Sequence, residues 1–171
     1  MTWVNLGLGS NVNPEDNLSS CLDELLLQFK DIALSSVFKS QARGHGGPDY
    51  LNMAAGFDTD IPLQELARLL KKIETNHGRD RSIPHSSTVT LDIDLLTYGD
   101  KAGRFDNIIL PRPEIVDAAH VLKPVSQIAA RLKHPVLKKT YAELWKNFAD
   151  KEQVLTPVAF TWHGRVISKP A

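Results

Sequence analysis

The sequence has little of what marks secreted, membrane-spanning or nucleic-acid-binding proteins. Its 171 residues include one cysteine, Cys21, so an internal disulfide is excluded and a reducing compartment is expected. Lysine plus arginine and aspartate plus glutamate each number 20, so no overall charge favours nucleic acid or an anionic membrane. No apolar run approaches the ~20 residues of a membrane span, and the N-terminus lacks the basic-then-apolar pattern of a signal peptide. These absences predict a soluble cytoplasmic protein without a nucleic-acid or membrane partner.

The length suits one domain with its own hydrophobic core and leaves little room for two. We predict a single domain over residues 1–171, with residues 149–171 as a C-terminal extension containing a hairpin that turns at His163-Gly164. Strand and helix periodicities alternate irregularly, with two successive strands between the first two helices. This order predicts an α+β sandwich in which helices pack on a mostly antiparallel sheet. A monomer is expected, with a dimer through the hairpin edge as the alternative.

Apolar periodicity and turn residues place the individual elements. Strands are predicted over residues 3–8, 32–40, 50–59 and 88–99. Helices are predicted from Pro14, with Asn13 as the cap, from Pro62 to a stop at Gly78, and over residues 114–119, 125–132 and 141–148. The first helix is expected to turn one apolar face to the core, formed by Leu18, Cys21, Leu22, Leu25, Leu26 and Phe29.

Two acids on the strand over residues 88–99 are the first candidates for chemistry. Because strand side chains alternate, Asp92 and Asp94 should share one face while Val89, Leu91, Ile93 and Leu95 enter the core. Their Cα atoms would lie ~7 Å apart, so the carboxylates can converge on one site. Two like charges among apolar residues are costly without a cation, and oxygen ligands with open coordination positions suit Mg²⁺. The alternative is an edge strand with a solvated outer face.

Other polar residues near these acids suit a flat heterocycle or phosphate oxygens. Tyr50 and Asn52 share a face of the preceding strand and would either stack on and hydrogen-bond a heterocycle or lie on a wetted surface. Glu74 falls in a last helical turn, where the helix dipole opposes an acid and a partner elsewhere is expected. Arg79 and Arg81 carry guanidinium forks that suit phosphate oxygens, although a lone Arg-x-Arg is usually a surface feature.

In this order, these segments resemble the 6-hydroxymethyl-7,8-dihydropterin pyrophosphokinase family of folate biosynthesis. The resemblance covers residues 4–132 and rests on Gly9-Ser10-Asn11, Pro48-Asp49-Tyr50-Leu51-Asn52, Glu74 with Gly78-Arg79-x-Arg81, and Leu91-Asp92-Ile93-Asp94. Leu110-Pro111 and Leu122-Lys123-Pro124 add weaker support. The family has a ferredoxin-like α+β fold and transfers a diphosphate from ATP to the pterin hydroxymethyl group, using magnesium.

The resemblance implies a role for each matching residue. Asp92 and Asp94 would bind two Mg²⁺ ions that bridge the phosphates of the co-substrate ATP. The pterin would be bound by Ser40, Tyr50, Asn52 and His120. The nucleotide would be bound by Glu74, Arg81, Leu95 and Arg112, and catalysis would depend on Arg79, Arg81, Asp92 and Asp94.

Five positions depart from the family's pattern. A catalytic arginine of the family falls at Val89 and another phosphate arginine at Ala118, and losing both would cost on the order of 10²–10⁵ in rate without compensation. Arg112 replaces a histidine that touches ATP phosphates, His120 replaces a phenylalanine that stacks on the pterin, and Ser86 replaces a loop tryptophan. The leading hypothesis is therefore a divergent diphosphokinase. The alternatives are a paralogue that binds pterin or nucleotide without catalysis, and the same fold acting on a different acceptor.

Overall fold

The computed structural model describes residues 1–41, 47–79 and 88–171, in which ten strands and five helices form. The strands are β1 (Thr2–Ser10), β2 (Ala33–Leu34), β3 (Val37–Ser40), β4 (Tyr50–Thr59), β5 (Asp92–Tyr98), β6 (Gly103–Phe105), β7 (Ile108–Leu110), β8 (Thr156–Val158), β9 (Phe160–Trp162) and β10 (Arg165–Ser168). The helices are α1 (Pro14–Gln28), α2 (Leu63–Asn76), α3 (Glu114–Asp117), α4 (Ala119–Ile128) and α5 (Tyr141–Lys146).

The central sheet runs in the order β5-β1-β4-β3-β8, with β2 paired to β4 beside this path. All its recorded pairings are antiparallel, and β1 is paired with β4 along its whole length, from Thr2–Thr59 to Ser10–Leu51. The predicted α+β architecture is therefore confirmed. The strand predicted over residues 32–40 is interrupted, because the Ser35 hydroxyl bonds the Ser36 carbonyl and the Ala54 amide between β2 and β3. The strand predicted over residues 88–99 begins later, at Asp92.

Helices α1 and α2 cover one face of the sheet. Helix α1 begins at Pro14 as predicted, but Asn13 has a left-handed backbone (φ 41°) and its side chain does not cap the helix. Leu26 was predicted in the apolar face and is 52% exposed, because Leu18, Cys21, Leu22 and Leu25 already fill the stripe that meets the sheet. Helix α2 buries Leu66, Leu70 and Ile73 and is followed by Gly78 in the left-handed region, as expected of a C-terminal stop.

Helices α4 and α5 lie on the opposite face and cover only part of it. Gly56 of β4 lies beneath Trp3 and the last residue of α4, since a β-carbon there would lie 2.4 Å from Trp3 Cζ2 and 3.1 Å from Ile128 Cδ1. The helix predicted over residues 125–132 is wrong in position, because α4 starts at Ala119 and includes Pro124 in its second turn. The buried side chains of Val121, Leu122 and Val125, among others, stabilise this helix despite the proline.

The C-terminal residues return to the sheet and to helix α1. Strand β8 pairs with β3, and β9 and β10 form a hairpin whose turn residues His163 and Gly164 both have positive φ. Asp23 of α1 accepts hydrogen bonds from Trp162 Nε1 at 2.9 Å and from His163 Nε2 at 2.5 Å. These bonds hold the pKa of the Asp23 carboxyl below its ordinary value. Within the described ranges, none of the helices combines the length and apolar character that a membrane crossing requires.

Candidate active site

A glycine-floored slot crosses three strands on the half of the sheet that α4 leaves uncovered. The register places Asn52 of β4 and Asp92 of β5 on either side of Gly9. One row further along β1, Gly7 lies beside Asp94. Because a glycine has no side chain, the slot is open above the strand backbone and has a volume of about 220 Å³. Its lining includes Tyr50, Asn52, Asp92, Asp94 and His120.

Sequence reasoning missed the role of these two glycines. The predicted strand over residues 3–8 ends before Gly9, whereas β1 continues to Ser10. A β-carbon on Gly9 would lie 3.1 Å from Asn52 Oδ1 and 3.7 Å from Tyr50 Cδ1. The available signal was the Gly-x-Gly spacing inside an otherwise apolar strand, which typically marks a close approach of a ligand or another backbone.

Ser40, Tyr50 and Asn52, three of the residues predicted to bind the pterin, all line the slot. The Asn52 side chain is buried, and its Nδ2 donates a hydrogen bond of 2.7 Å to Ser40 Oγ. This bond directs Asn52 Oδ1 towards Gly9 and fixes the amide across the slot. Tyr50 lies next to Asn52 at the start of β4, and burial together with the Asp92 charge raises the pKa of its phenol.

The acids Asp92 and Asp94 form the boundary between the slot and a second cavity. Both residues also line a cavity of about 690 Å³ on the side of α2 and the β7–α3 connection, together with Glu74, Leu95 and Arg112. Burial, and then the neighbouring Asp92 charge, raise the pKa of Asp94 well above its ordinary value, while Arg112 opposes the rise. The side chain of Arg112 approaches Asp94 Oδ1 with its Nη2 at 3.3 Å and Glu114 Oε2 with its Nε at 3.4 Å.

Arg79 provides a second guanidinium beside the acids. Its Nη1 donates to the Leu91 carbonyl at 3.3 Å and lies 3.7 Å from Asp92 Oδ1. The two arginines therefore place one cation near each acid. Arg81 and Ser86, which the sequence also singled out, lie outside the described residues.

Glu74 connects α2 to the acid-bearing strand. Its side chain is 1% exposed, and its Oε2 accepts a hydrogen bond of 2.7 Å from the backbone amide of Ile93, between the two acids. The expectation that this last-turn acid has a partner outside its own helix is confirmed. Leu95 is a core residue at the edge of the same cavity.

Asn11 is a further residue whose role was not predicted from the sequence. Its Oδ1 accepts from the Val89 amide at 2.6 Å, its own amide donates to the Val89 carbonyl, and its Nδ2 donates to the Pro48 carbonyl at 3.3 Å. One buried side chain thus joins the segments that precede β4 and β5. An asparagine carboxamide donates from its nitrogen while its oxygen accepts, so one side chain can bond two separate segments, and this was the available signal.

The comparisons with known proteins identify the family. The model of 7,8-dihydro-6-hydroxymethylpterin-pyrophosphokinase (HPPK) matches residues 5–130. The chain belongs to the HPPK family. It is 30% identical over 179 residues to the 2-amino-4-hydroxy-6-hydroxymethyldihydropteridine pyrophosphokinase of Synechocystis sp., covering 93% of this chain and 91% of that protein. It is 31% identical over 158 residues to the protein of the same name from Haemophilus influenzae, covering 90% of this chain and 98% of that protein.

A solved structure shows the same fold. A triple mutant of Plasmodium falciparum HPPK-DHPS superposes with a TM-score of 0.70 at 11% identity, over 98% of this chain and 48% of that chain. This chain thus spans about half the length of the HPPK-DHPS structures that it resembles. The likeness confirms the ferredoxin-like α+β fold predicted from the sequence.

Two of the departures from the HPPK pattern lie in buried positions. Val89 is 9% exposed, outside the regular part of β5, and its backbone is bonded to Asn11. Ala118 is 1% exposed and belongs to the core beneath α4. Neither side chain reaches the slot or the second cavity within the described residues. His120, by contrast, is half-buried and lines the slot itself.

Proposed function

We propose that this protein transfers a diphosphate from ATP to 6-hydroxymethyl-7,8-dihydropterin in folate biosynthesis. The observation that carries the proposal is the position of Asp92 and Asp94, which line both the flat glycine-floored slot and the larger second cavity. A pterin in the slot and ATP in the second cavity would meet at this acid pair. Diphosphate transfer requires this proximity, because the hydroxymethyl oxygen must reach the β-phosphorus of ATP.

We further propose that Asp92 and Asp94 bind two Mg²⁺ ions. Both carboxylates are about one-third exposed on the same face of β5, and burial, followed by the neighbouring Asp92 charge, raises the pKa of Asp94. A bound cation would offset both effects. The described residues contain no group of three or more His, Cys, Asp or Glu that would bind a metal by itself. Two carboxylates leave most coordination positions of a metal ion open, which suits Mg²⁺ that is also bound by substrate phosphates. When bound, the ions would neutralise charge on the transferring phosphates.

The other proposed roles follow from position. Tyr50 and His120 would pack against the pterin, and the Asn52 amide, held by Ser40, would hydrogen-bond its edge. Arg79 and Arg112 lie beside the acids and would turn their guanidinium groups to phosphate oxygens once cations occupy the acid pair. Arg81, Glu74 and Leu95 are proposed as further nucleotide contacts, with Arg81 acting in catalysis together with Arg79.

A binding protein without turnover is the second candidate. The absence of arginine at Val89 and Ala118 favours it, because two phosphate charges of the family pattern are missing and both positions are buried. A different acceptor is the third candidate, favoured by His120 in the slot. In each case, we propose a single-domain monomer that acts in the cytoplasm.

One incubation separates these candidates. The protein would be mixed with ATP, Mg²⁺ and hydroxymethyldihydropterin, and the nucleotide products would be separated. AMP would support diphosphate transfer, whereas ADP would indicate a simple kinase. Neither product, with saturable pterin binding by calorimetry, would support the binding protein, whereas ATP binding without pterin binding would support a different acceptor. Neither product and no binding of pterin or ATP would contradict all three. A parallel reaction with EDTA tests the metal, since AMP formation that survives chelation would contradict the Mg²⁺ proposal.

A further inference from the structure

Helix α4 begins without a capping side chain of its own. The residue before it, Ala118, is extended (φ −118°, ψ 114°) and has no side-chain oxygen, so it cannot bond the first amides of the helix. The amide of Ala119 is instead bonded by Gln153, 34 residues away, whose Oε1 accepts at 2.8 Å. A residue of the C-terminal segment therefore caps a helix that the HPPK-matched region contains.

Gln153 makes two more hydrogen bonds through the same carboxamide. Its Nε2 donates to the Asp117 carbonyl at 2.8 Å and to Asp150 Oδ2 at 2.9 Å. The side chain thus contacts the peptide groups on both sides of Ala118 and is oriented by its own segment. A carboxamide is well suited to this position, because one end accepts while the other donates.

The turn held by Gln153 leads directly into the acceptor slot. His120 follows Ala119 and lines both the slot and a neighbouring cavity of about 640 Å³. Residues 150 and 152–156 form one side of that cavity, and Ser40 is also shared between the two. A shift of the Ala118–Ala119 backbone would therefore move the His120 ring relative to Asn52.

We propose that Gln153 is a positioning residue of the acceptor site, which fixes His120 by capping α4 from the C-terminal segment. The inference deepens the proposed function, because it names a determinant of pterin binding outside the region that matches the family. Gln153 does not line the slot, so its effect on the acceptor would be indirect. It should leave the ATP side unaffected, since the second cavity contains no residue of the C-terminal segment.

The test compares Gln153→Leu with Gln127→Leu. Gln127 is a matched control, because it belongs to the helix that Gln153 caps and its Oε1 also accepts a backbone amide bond of 2.8 Å, from Ser36, but it lies at the opposite end of that helix from Ala119 and His120. In Gln153→Leu we expect faster hydrogen–deuterium exchange at the Ala119 amide and a changed His120 ring resonance. We also expect a KM for the pterin that is raised roughly three- to tenfold with the KM for ATP unchanged. Gln127→Leu should show none of these effects.

A conservative variant separates capping from general destabilisation. Gln153→Glu keeps an acceptor for the Ala119 amide but replaces the Nε2 donor by an oxygen that faces the Asp117 carbonyl and Asp150. At a pH low enough to protonate that glutamate, its carboxyl can both accept and donate, so there the variant should retain more of the exchange protection than Gln153→Leu does. Unchanged Ala119 exchange in Gln153→Leu, or an equal rise of the pterin KM in Gln127→Leu, would overturn the inference. The exchange measurement needs no substrate. If the parent protein forms no AMP, the proposed function fails while the exchange result still decides whether Gln153 holds this turn.

Discussion

Gly9→Ala tests whether the bare backbone of β1 is the floor on which the acceptor lies. Gly9 is paired on both sides within a regular strand, so alanine is compatible with its backbone. The added β-carbon would stand 3.1 Å from Asn52 Oδ1 and 3.7 Å from Tyr50 Cδ1. Alanine stabilises the folded state by about 0.4–1 kcal/mol, because it lowers the conformational entropy of the unfolded chain. A small displacement of the Asn52 amide offsets this stabilisation. The free energy of unfolding should therefore change by less than about 1 kcal/mol.

The effect on the acceptor should be much larger than the effect on stability. A ring stacked ~3.5–4.0 Å above the Gly9 backbone would be only about 2–2.5 Å from a methyl carbon, so it must rise by about 1.5 Å. That displacement breaks hydrogen bonds to the Asn52 amide, each contributing about 0.5–1.5 kcal/mol. Two lost bonds amount to about 1–3 kcal/mol, or about a five- to 150-fold weaker Kd.

Calorimetric titration with hydroxymethyldihydropterin measures this change, and urea unfolding checks stability. Gly7→Ala is the matched control, because its β-carbon would make only an ordinary contact of 3.5 Å with Leu96 Cδ1 and lies one row away from Asn52. Gly7→Ala should weaken the pterin less than Gly9→Ala does. A folded Gly9→Ala protein with the parent's pterin affinity would refute the glycine floor.

Three further predictions concern charge, specificity and pH. Asp92→Asn and Asp94→Asn should each abolish Mg²⁺-dependent ATP binding in calorimetry, while stability in metal-free buffer stays within about 1 kcal/mol because repulsion and an arginine pair are lost together. Unchanged affinity for MgATP in both variants would contradict the metal assignment. Asn52→Ala should weaken pterin binding more than His120→Ala, since a lost hydrogen-bonding edge costs more than trimmed packing; equally small effects would place the pocket elsewhere. Burial lowers the pKa of His134 below 6.5, and its Nδ1 accepts hydrogen bonds from two backbone amides. As the pH falls, this histidine is therefore protonated in the unfolded chain before it is protonated in the folded protein. The free energy of unfolding, measured in urea, should accordingly fall as the pH drops below about 6.5. The decrease in stability with pH should be shallower in His134→Asn. If the variant and the parent show the same pH dependence, other groups cause the decrease.

Local patterns predicted the strands that carry the site better than the helix that carries His120. The bounds of β4 were predicted from alternation between two loops, and alternation also put both acids on one face of β5. Helix α4 was misplaced: the predicted helix begins at Val125, whereas the observed helix begins at Ala119, and tertiary packing of its buried side chains holds Pro124 inside it. The contacts of Asn11 and Gln153 are long-range and have no periodicity, so the sequence alone contains no local signal for their partners.

The pairing of β8 with β3 has a consequence for synthesis and handling of the chain. Lys39 of β3 pairs with Thr156 of β8. During synthesis, the edge of β3 therefore has no partner strand until residues more than a hundred positions further along the chain have been made. Until then, β3 presents unpaired backbone groups that can pair with another copy. In the finished protein, β8 is short and contains Pro157, which makes it a poor template for such pairing. Shortening the chain to the family-matched residues would therefore expose an aggregation-prone edge, even though every residue of the slot and the acid pair would remain.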